Sequence, residues 1–181
     1  SATAVGYTAN ASASGAAIAK SSGTNAVALG VSAKATAGHA TALGGFSKAA
    51  SSATAVGYTA NASASGAAIG VQAESGEFAA ALGFDAEAKG RQSVSIGHLS
   101  RSHSANSVAV GALANTEGSA VAVGYDAKGT GGFSVALGKG ATASNTSAIA
   151  IGASNDTVTS SAQATGVSSI SIGKGSLASS T

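Results

Sequence analysis

The chain has 181 residues, of which 44% are hydrophobic but only 4% are aromatic, with 26 glycines and no Pro, Cys, Met or Trp. Charged residues make up 9% and the net charge is +2, and the sequence has no basic stripe of the kind that a nucleic-acid surface needs. No apolar run approaches the roughly 20 residues of a membrane-spanning helix. So few large side chains would fill a globular core poorly, which favours a thin coil without nucleic-acid or membrane contacts.

One phrase recurs along the chain, a short alternation of small and branched aliphatic residues that ends in glycine. It reads Asn-Ala-Val-Ala-Leu-Gly at 25–30, Gln-Ser-Val-Ser-Ile-Gly at 92–97, Asn-Ser-Val-Ala-Val-Gly at 106–111 and Ser-Ala-Ile-Ala-Ile-Gly at 147–152. We call this glycine the reference glycine and number each coil from it as position 0. Reference glycines stand at 6, 30, 44, 57, 70, 83, 97, 111, 124, 138, 152 and 173, mostly 13 or 14 residues apart. Such a period indicates a solenoid.

Each coil is predicted to contain two short strands. Positions −3 and −1 mostly carry Val, Leu or Ile and position −2 is Ala or Ser, an alternation that fits a pleated strand. After the glycine, positions +3 and +5 are mostly small, and a polar or charged residue usually stands between them at +4. The second strand is therefore expected to have an inner face at +3 and +5 and a solvent-exposed face at +4. Since each strand returns in the same direction after one circuit, we predict an all-β solenoid with parallel sheets.

The first strand carries no charged or long polar side chain on either face, which indicates that both of its faces are buried. One face would close the coil and the other would pack against copies of the same chain. We favour −3 and −1 pointing into the coil, because a large residue opposite a small one fills the roughly 10 Å between packed sheets, but the opposite assignment stays open. The residues at −2 are expected to form this interface between chains, or the core: Ala28, Ala42, Ala55, Ala68, Ala81, Ser95, Ala109, Ala122, Ala136 and Ala150.

The longer step between Gly152 and Gly173 breaks the rhythm, and residues 153–167 are predicted to form an inserted loop. Because the chain starts in the middle of a repeat, we expect residues 1–181 to be a single domain cut from a longer protein.

No catalytic, cofactor or metal site is predicted. The only histidines are His39, His98 and His103, and without cysteine they lack the usual partners of a zinc site, so we interpret them as solvated corner residues. No Gly-x-Ser-x-Gly elbow occurs. A β-helix acyltransferase would need hexapeptide units, which the observed step does not fit, and an ice-binding solenoid would need a regular threonine ladder.

The outer face of the second strand offers a candidate ligand surface. Basic residues stand at +4 in four coils: Lys34, Lys48, Arg101 and Lys128. They either bind acidic partners or only keep this face hydrated. Aromatic residues that directly follow the reference glycine form either an adhesive rim or an edge that covers the corners: Tyr7, Tyr58, Phe84 and Tyr125.

The tandem Asn-Ser-Val-Ala-Val-Gly-like units, each followed by Ala-x-Ala, resemble the head domain of trimeric autotransporter adhesins of the YadA type. The resemblance covers essentially the whole chain and implies a left-handed parallel β-roll that assembles as a homotrimer on the surface of a Gram-negative bacterium. A coiled-coil stalk and a barrel anchored in the outer membrane would lie outside this sequence. The resemblance also implies a non-enzymatic, cofactor-free adhesin whose partners are host-cell receptors, matrix proteins such as collagen, fibronectin or laminin, or other bacteria. The alternative is a self-associating spacer rod without a host ligand.

Overall fold

The computed structural model describes residues 24–154 and 161–179, together with the backbone of four short strands at Thr3–Ala4, Asn10–Ala11, Ala16–Ala17 and Lys20–Ser21. Tyr7 and residues 155–160 of the predicted loop lie outside these ranges. The chain divides into two compact units, Ser1–Ala86 and Glu87–Thr181. The described residues form strands and turns only, and they include no helix that could cross a membrane. The expectation of a single domain over 1–181 stays a prediction.

In the unit Ser1–Ala86 the strands form two parallel sheets. The strands that precede the reference glycines make the first sheet: β1 (Thr3–Ala4), β3 (Ala16–Ala17), β5 (Val27–Leu29), β7 (Thr41–Leu43), β9 (Thr54–Val56), β11 (Ala67–Ile69) and β13 (Ala80–Leu82). The strands that follow them make the second sheet: β2 (Asn10–Ala11), β4 (Lys20–Ser21), β6 (Lys34–Ala35), β8 (Lys48–Ala49), β10 (Asn61–Ala62) and β12 (Glu74–Ser75).

The unit Glu87–Thr181 repeats this arrangement. Its first sheet contains β15 (Val94–Ile96), β17 (Val108–Val110), β19 (Val121–Val123), β21 (Val135–Leu137), β23 (Ile149–Ile151) and β25 (Ile170–Ile172). Its second sheet contains β14 (Glu87–Ala88), β16 (Arg101–Ser102), β18 (Asn115–Thr116), β20 (Lys128–Gly129), β22 (Thr142–Ala143), β24 (Gln163–Ala164) and β26 (Leu177–Ala178). The predicted all-β parallel solenoid with two short strands per coil is confirmed.

Both corners of a coil are four-residue turns. The amide of Ala33 donates to the carbonyl of Gly30 at 3.1 Å, and at the other corner the amide of Gly66 donates to the carbonyl of Ser63 at 2.9 Å. In these two turns the third residue has a positive φ, 56° at Ser32 and 55° at Ser65, as a type II turn requires. Two such sharp corners bring the sheets into direct contact.

The reference glycines form closely stacked columns. Gly97 has a φ of 133°, a region that side chains rarely adopt, and a Cβ added there would lie 2.6 Å from the carbonyl carbon of Gly111 in the next coil. The glycine that ends each phrase is therefore required both by the turn and by the neighbouring coil.

Among the residues whose burial is described, the interior contains only small side chains, and Thr116 is the largest that is fully buried. All ten residues predicted at −2 lie inside the coil of their own chain, where Ala109 is 0% exposed. The residues at −3 and −1 point outward. The favoured orientation of the first strand is therefore wrong. In an ordinary sheet sandwich the sheets lie roughly 10 Å apart and larger residues fill the gap, whereas the tight turns of this coil leave room for two small side chains only.

Serine pairs show how thin the interior is. The hydroxyl of Ser95 on β15 lies 2.7 Å from that of Ser100, which precedes β16, and Ser102 and Ser107 make the same contact across the other corner. Each pair spans the space between the two sheets, so a branched aliphatic side chain would not fit there.

The segment 153–167 is irregular only in part. Gln163–Ala164 forms β24, which pairs in parallel with β22 and β26. Ala162 and Ala164 are buried like the residues at +3 and +5 of other coils. Residues 161–167 thus continue the solenoid.

Candidate binding surface

The residues at +4 form a row along the outer face of the second sheet. In the unit Ser1–Ala86, Lys34, Lys48, Asn61 and Glu74 pair in register on β6, β8, β10 and β12. Lys34 and Lys48 are both exposed, and neither forms an ion pair with any residue in the described ranges. The repeat thus places two unneutralised ammonium groups on neighbouring strands.

In the unit Glu87–Thr181 the corresponding basic residues have acidic neighbours. The Glu87 carboxylate lies 3.0 Å from the Lys89 Nζ, 3.9 Å from the Arg101 Nε and 2.7 Å from the His103 Nε2. Burial by itself raises the pKa of Glu87, but the hydrogen bonds and charges of His103 and Lys89 outweigh it and hold the pKa below its ordinary value.

Lys128 has a partner in its own coil, because its Nζ lies 3.3 Å from Oδ1 of Asp126. The four predicted ligand residues are therefore two pairs in different surroundings. Lys34 and Lys48 are neighbours without counter-charges in the described structure, whereas Arg101 and Lys128 both lie near carboxylates.

Beside the Lys34–Lys48 pair stand two exposed aromatic rings. The ring centroids of Phe46 and Tyr58 are 5.7 Å apart with an interplanar angle of 83°, the edge-to-face arrangement that aromatic pairs favour. Tyr58 also covers Gly45, where an added Cβ would lie 3.3 Å from the Tyr58 Cδ2. Tyr58 is thus held from two sides, yet 54% of it remains exposed.

These residues border a shallow groove of about 730 Å³ on the unit Ser1–Ala86. Its lining combines basic, aromatic, amide and acidic side chains: Lys34, Phe46, Lys48, Tyr58, Thr59, Asn61, Gln72, Ala73, Glu74 and Asp85. We call this feature the second-sheet groove. Lys34, Lys48 and Tyr58 were singled out from the sequence. Phe46, at +2 of its coil, was missed, because its contact with Tyr58 at +1 of the next coil arises only when the coils stack.

The other predicted corner aromatics, Phe84 and Tyr125, are exposed but do not line this groove. Of the histidines, His103 is more than a solvated corner residue, because its ring contacts Glu87. Within residues 24–154 and 161–179, no three His, Cys, Asp or Glu side chains come together in a way that could hold a metal ion.

The outer face of the first sheet is a second surface of interest. It carries the branched side chains of positions −3 and −1, which we call the apolar face. The large apolar residues on it that are most exposed are Val27, Leu29, Leu43, Ile69 and Leu82 in one unit and Ile96, Val123, Ile151, Ile170 and Ile172 in the other. Contiguous apolar surface of this kind marks an interaction site.

The recurring unit of this chain matches a known family of repeats. Segments 21–47, 75–100, 88–114, 116–140 and 130–155 match the YadA head domain repeat (2 copies), and together they cover more than half of the sequence. No curated protein matches the chain. The chain belongs to the YadA head domain repeat family.

Proposed function

We propose that this chain is the head of a trimeric autotransporter adhesin, a non-enzymatic binding module that attaches bacteria to host cells or extracellular matrix. The observation that carries the proposal is the apolar face, which both units expose along the first sheet. The family matched by the chain is one of adhesin heads, and this supports the same reading.

The apolar face is suited to copies of the same chain. Its branched residues recur at equal positions in successive strands, as Val94, Val108 and Val121 pair in register on β15, β17 and β19. Two further copies present the same spacing, so their side chains can interdigitate along the sheet. Burial of this face would supply the hydrophobic stabilisation that the alanine interior of a single coil cannot. A homotrimer formed in this way leaves the second sheets of all three chains facing outward.

Attachment would then work through many equivalent outward surfaces. Linked sites of modest affinity reach high avidity when several bind together. The proposed partners are host-cell receptors or matrix proteins, with other bacteria as partners in autoaggregation. The proposed location is the bacterial surface, where segments outside this sequence would anchor the trimer in the outer membrane.

Two measurements on the purified chain test the proposal. Sedimentation at micromolar concentration is expected to show a trimer, and immobilised collagen, fibronectin, laminin or host cells are expected to retain it. A monomer under these conditions would refute assembly through the apolar face. A trimer that binds neither cells nor any of these matrix proteins would instead favour a self-associating spacer rod.

A further inference from the structure

We propose that the second-sheet groove binds an oligosaccharide that carries one acidic sugar followed by neutral sugars. The inference rests on the proposed adhesin function and names the ligand chemistry of one of its outward surfaces. The groove presents charged groups, aromatic rings and amides in an order that fits such a ligand.

One end of the groove selects an anion. Lys34 and Lys48 are paired in register on β6 and β8, so their strands are only about 4.8 Å apart. Two like charges so placed repel each other, and neither is neutralised by a described residue. A carboxylate or sulfate bound between them would relieve the repulsion and form charge-assisted hydrogen bonds.

The middle of the groove suits the face of a sugar ring. Tyr58 is 54% exposed and Phe46 is 47% exposed, and their edge-to-face contact fixes the position of the tyrosine ring before any ligand arrives. A preorganised side chain costs little ordering entropy on binding. Pyranose rings present C–H groups to aromatic faces, whereas a flexible acidic peptide would have no need of a rigid ring beside the lysines.

The far end of the groove is polar and then acidic. Asn61 follows Lys48 in the row, Glu74 follows Asn61, and Gln72 and Asp85 line the same end. Amide and carboxylate groups are good partners for sugar hydroxyls. The same carboxylates repel a ligand that is acidic along its whole length, such as RNA or a heavily sulfated chain. The charge order therefore favours a ligand with its negative charge at one end only.

The groove stays accessible in the proposed trimer. It lies on the outer face of the second sheet, whereas the apolar face lies on the outer face of the first sheet. The two sheets meet through their inner faces, so partner chains and the oligosaccharide occupy different surfaces.

Isothermal titration calorimetry with the full chain tests the inference with three probes. The first is 3′-sialyllactose, which has one carboxylated sugar at its end, the second is lactose, and the third is a heparin hexasaccharide, which is acidic throughout. We expect 3′-sialyllactose to bind best and lactose to bind about tenfold more weakly or worse, as the loss of a charge-assisted contact predicts. No heat from 3′-sialyllactose, or tighter binding of the heparin fragment, would overturn the proposal.

Matched variants locate the site. Lys48→Gln and Tyr58→Ala are each expected to weaken 3′-sialyllactose binding by about tenfold. Their controls are Lys128→Gln, which changes a +4 lysine next to Asp126, and Tyr125→Ala, which removes an equally placed aromatic outside the groove. Both controls should bind as the unaltered chain does. Equal losses in a variant and its control would place the binding elsewhere and contradict the inference.

Failure of this inference can be told apart from failure of the proposed function. A trimer that attaches to host cells yet does not bind 3′-sialyllactose would refute the glycan site and leave the adhesin function standing. A chain that binds 3′-sialyllactose in the groove but remains monomeric would support the site and refute assembly through the apolar face.

Discussion

The hydroxyl oxygens of Ser95 and Ser100 lie 2.7 Å apart in the interior of one coil, and Ser100 also donates to the carbonyl of Gly97 at 3.0 Å. The Ser95 hydroxyl is fully buried, and its hydrogen-bond partner is the Ser100 hydroxyl. The Ser100 hydroxyl has a second partner, the carbonyl of Gly97. Loss of the Ser100 hydroxyl would therefore leave Ser95 without this partner, whereas loss of the Ser95 hydroxyl would leave Ser100 bonded to Gly97.

This asymmetry predicts unequal mutational effects. Ser100→Ala should destabilise the chain by about 1–3 kcal/mol, because it leaves a buried hydroxyl without a partner. Ser95→Ala should cost less, and the double variant should recover most of the loss, since Ala109 and Ala114 already occupy the equivalent positions of the next coil. Urea unfolding of all four proteins at one protein concentration gives the coupling energy. Additive losses would contradict the pairing.

Ser134 supplies the complementary case. Its buried hydroxyl has no hydrogen-bond partner among the described residues. Ser134→Ala is therefore expected to be neutral or to stabilise the chain by about 1 kcal/mol. A clear loss of stability in the same urea experiment would contradict an unsatisfied hydroxyl at Ser134.

The glycine columns predict a strong effect at Gly97. Gly97→Ala combines a φ of 133° with a Cβ placed 2.6 Å from the Gly111 carbonyl carbon, so we expect a loss of about 3 kcal/mol or more. The matched control is Gly132→Ala, because a Cβ at Gly132 would meet nothing within 4 Å. Thermal unfolding followed by circular dichroism compares the two. Similar melting temperatures would contradict the stacked-glycine explanation.

The two faces of the first sheet predict different failures. Ile96→Glu places a charge on the apolar face, so the variant should keep its β-sheet spectrum but sediment as a monomer. Ala109→Glu should lose assembly because the coil itself cannot form, since Ala109 is fully buried within one chain and an unpaired charge is costly there. Lys128→Glu should change neither property. Circular dichroism and sedimentation distinguish these outcomes. A folded monomer from Ala109→Glu would contradict the orientation of the strand.

The pKa of Glu87 predicts a pH dependence. Burial acts against the charged form, but the contacts with His103 and Lys89 prevail, so the folded-state pKa lies below the ordinary value of 4.5. At pH values between the folded-state pKa and the unfolded-state pKa, the folded chain therefore binds fewer protons than the unfolded chain. The stabilisation contributed by Glu87 is thus present above the unfolded pKa and is lost as the pH falls through the folded one.

Unfolding free energies measured between about pH 3 and pH 6 check this sign. Glu87→Gln should flatten part of the decline seen at acidic pH. A Glu87→Gln variant with the same pH profile as the unaltered chain would show that the cluster does not contribute.

The candidate site shows what could and could not be predicted from residues alone. Position +4 was correctly predicted to lie on the solvent-exposed face of the second strand. The small residues on both sides of it, at +3 and +5, indicated the inner face. The sequence did not predict that the four basic residues differ in their surroundings. Lys34 and Lys48 have no counter-charge in the described structure, whereas the other two lie near carboxylates. This difference depends on the reach of long side chains such as Lys89 and on distances between coils, which the repeat period does not specify.

The sequence by itself determined the solenoid, its two strands per coil, their parallel pairing and the glycine at the corner, because period-two alternation and a fixed 13- or 14-residue step permit few other arrangements. Only the tertiary structure decided which face of the first strand is inside. That strand carries apolar or small residues on both faces, so its pattern is compatible with either orientation. Two four-residue turns bring the sheets so close that Ser95 and Ser100 touch, and at that separation only the small face fits inside.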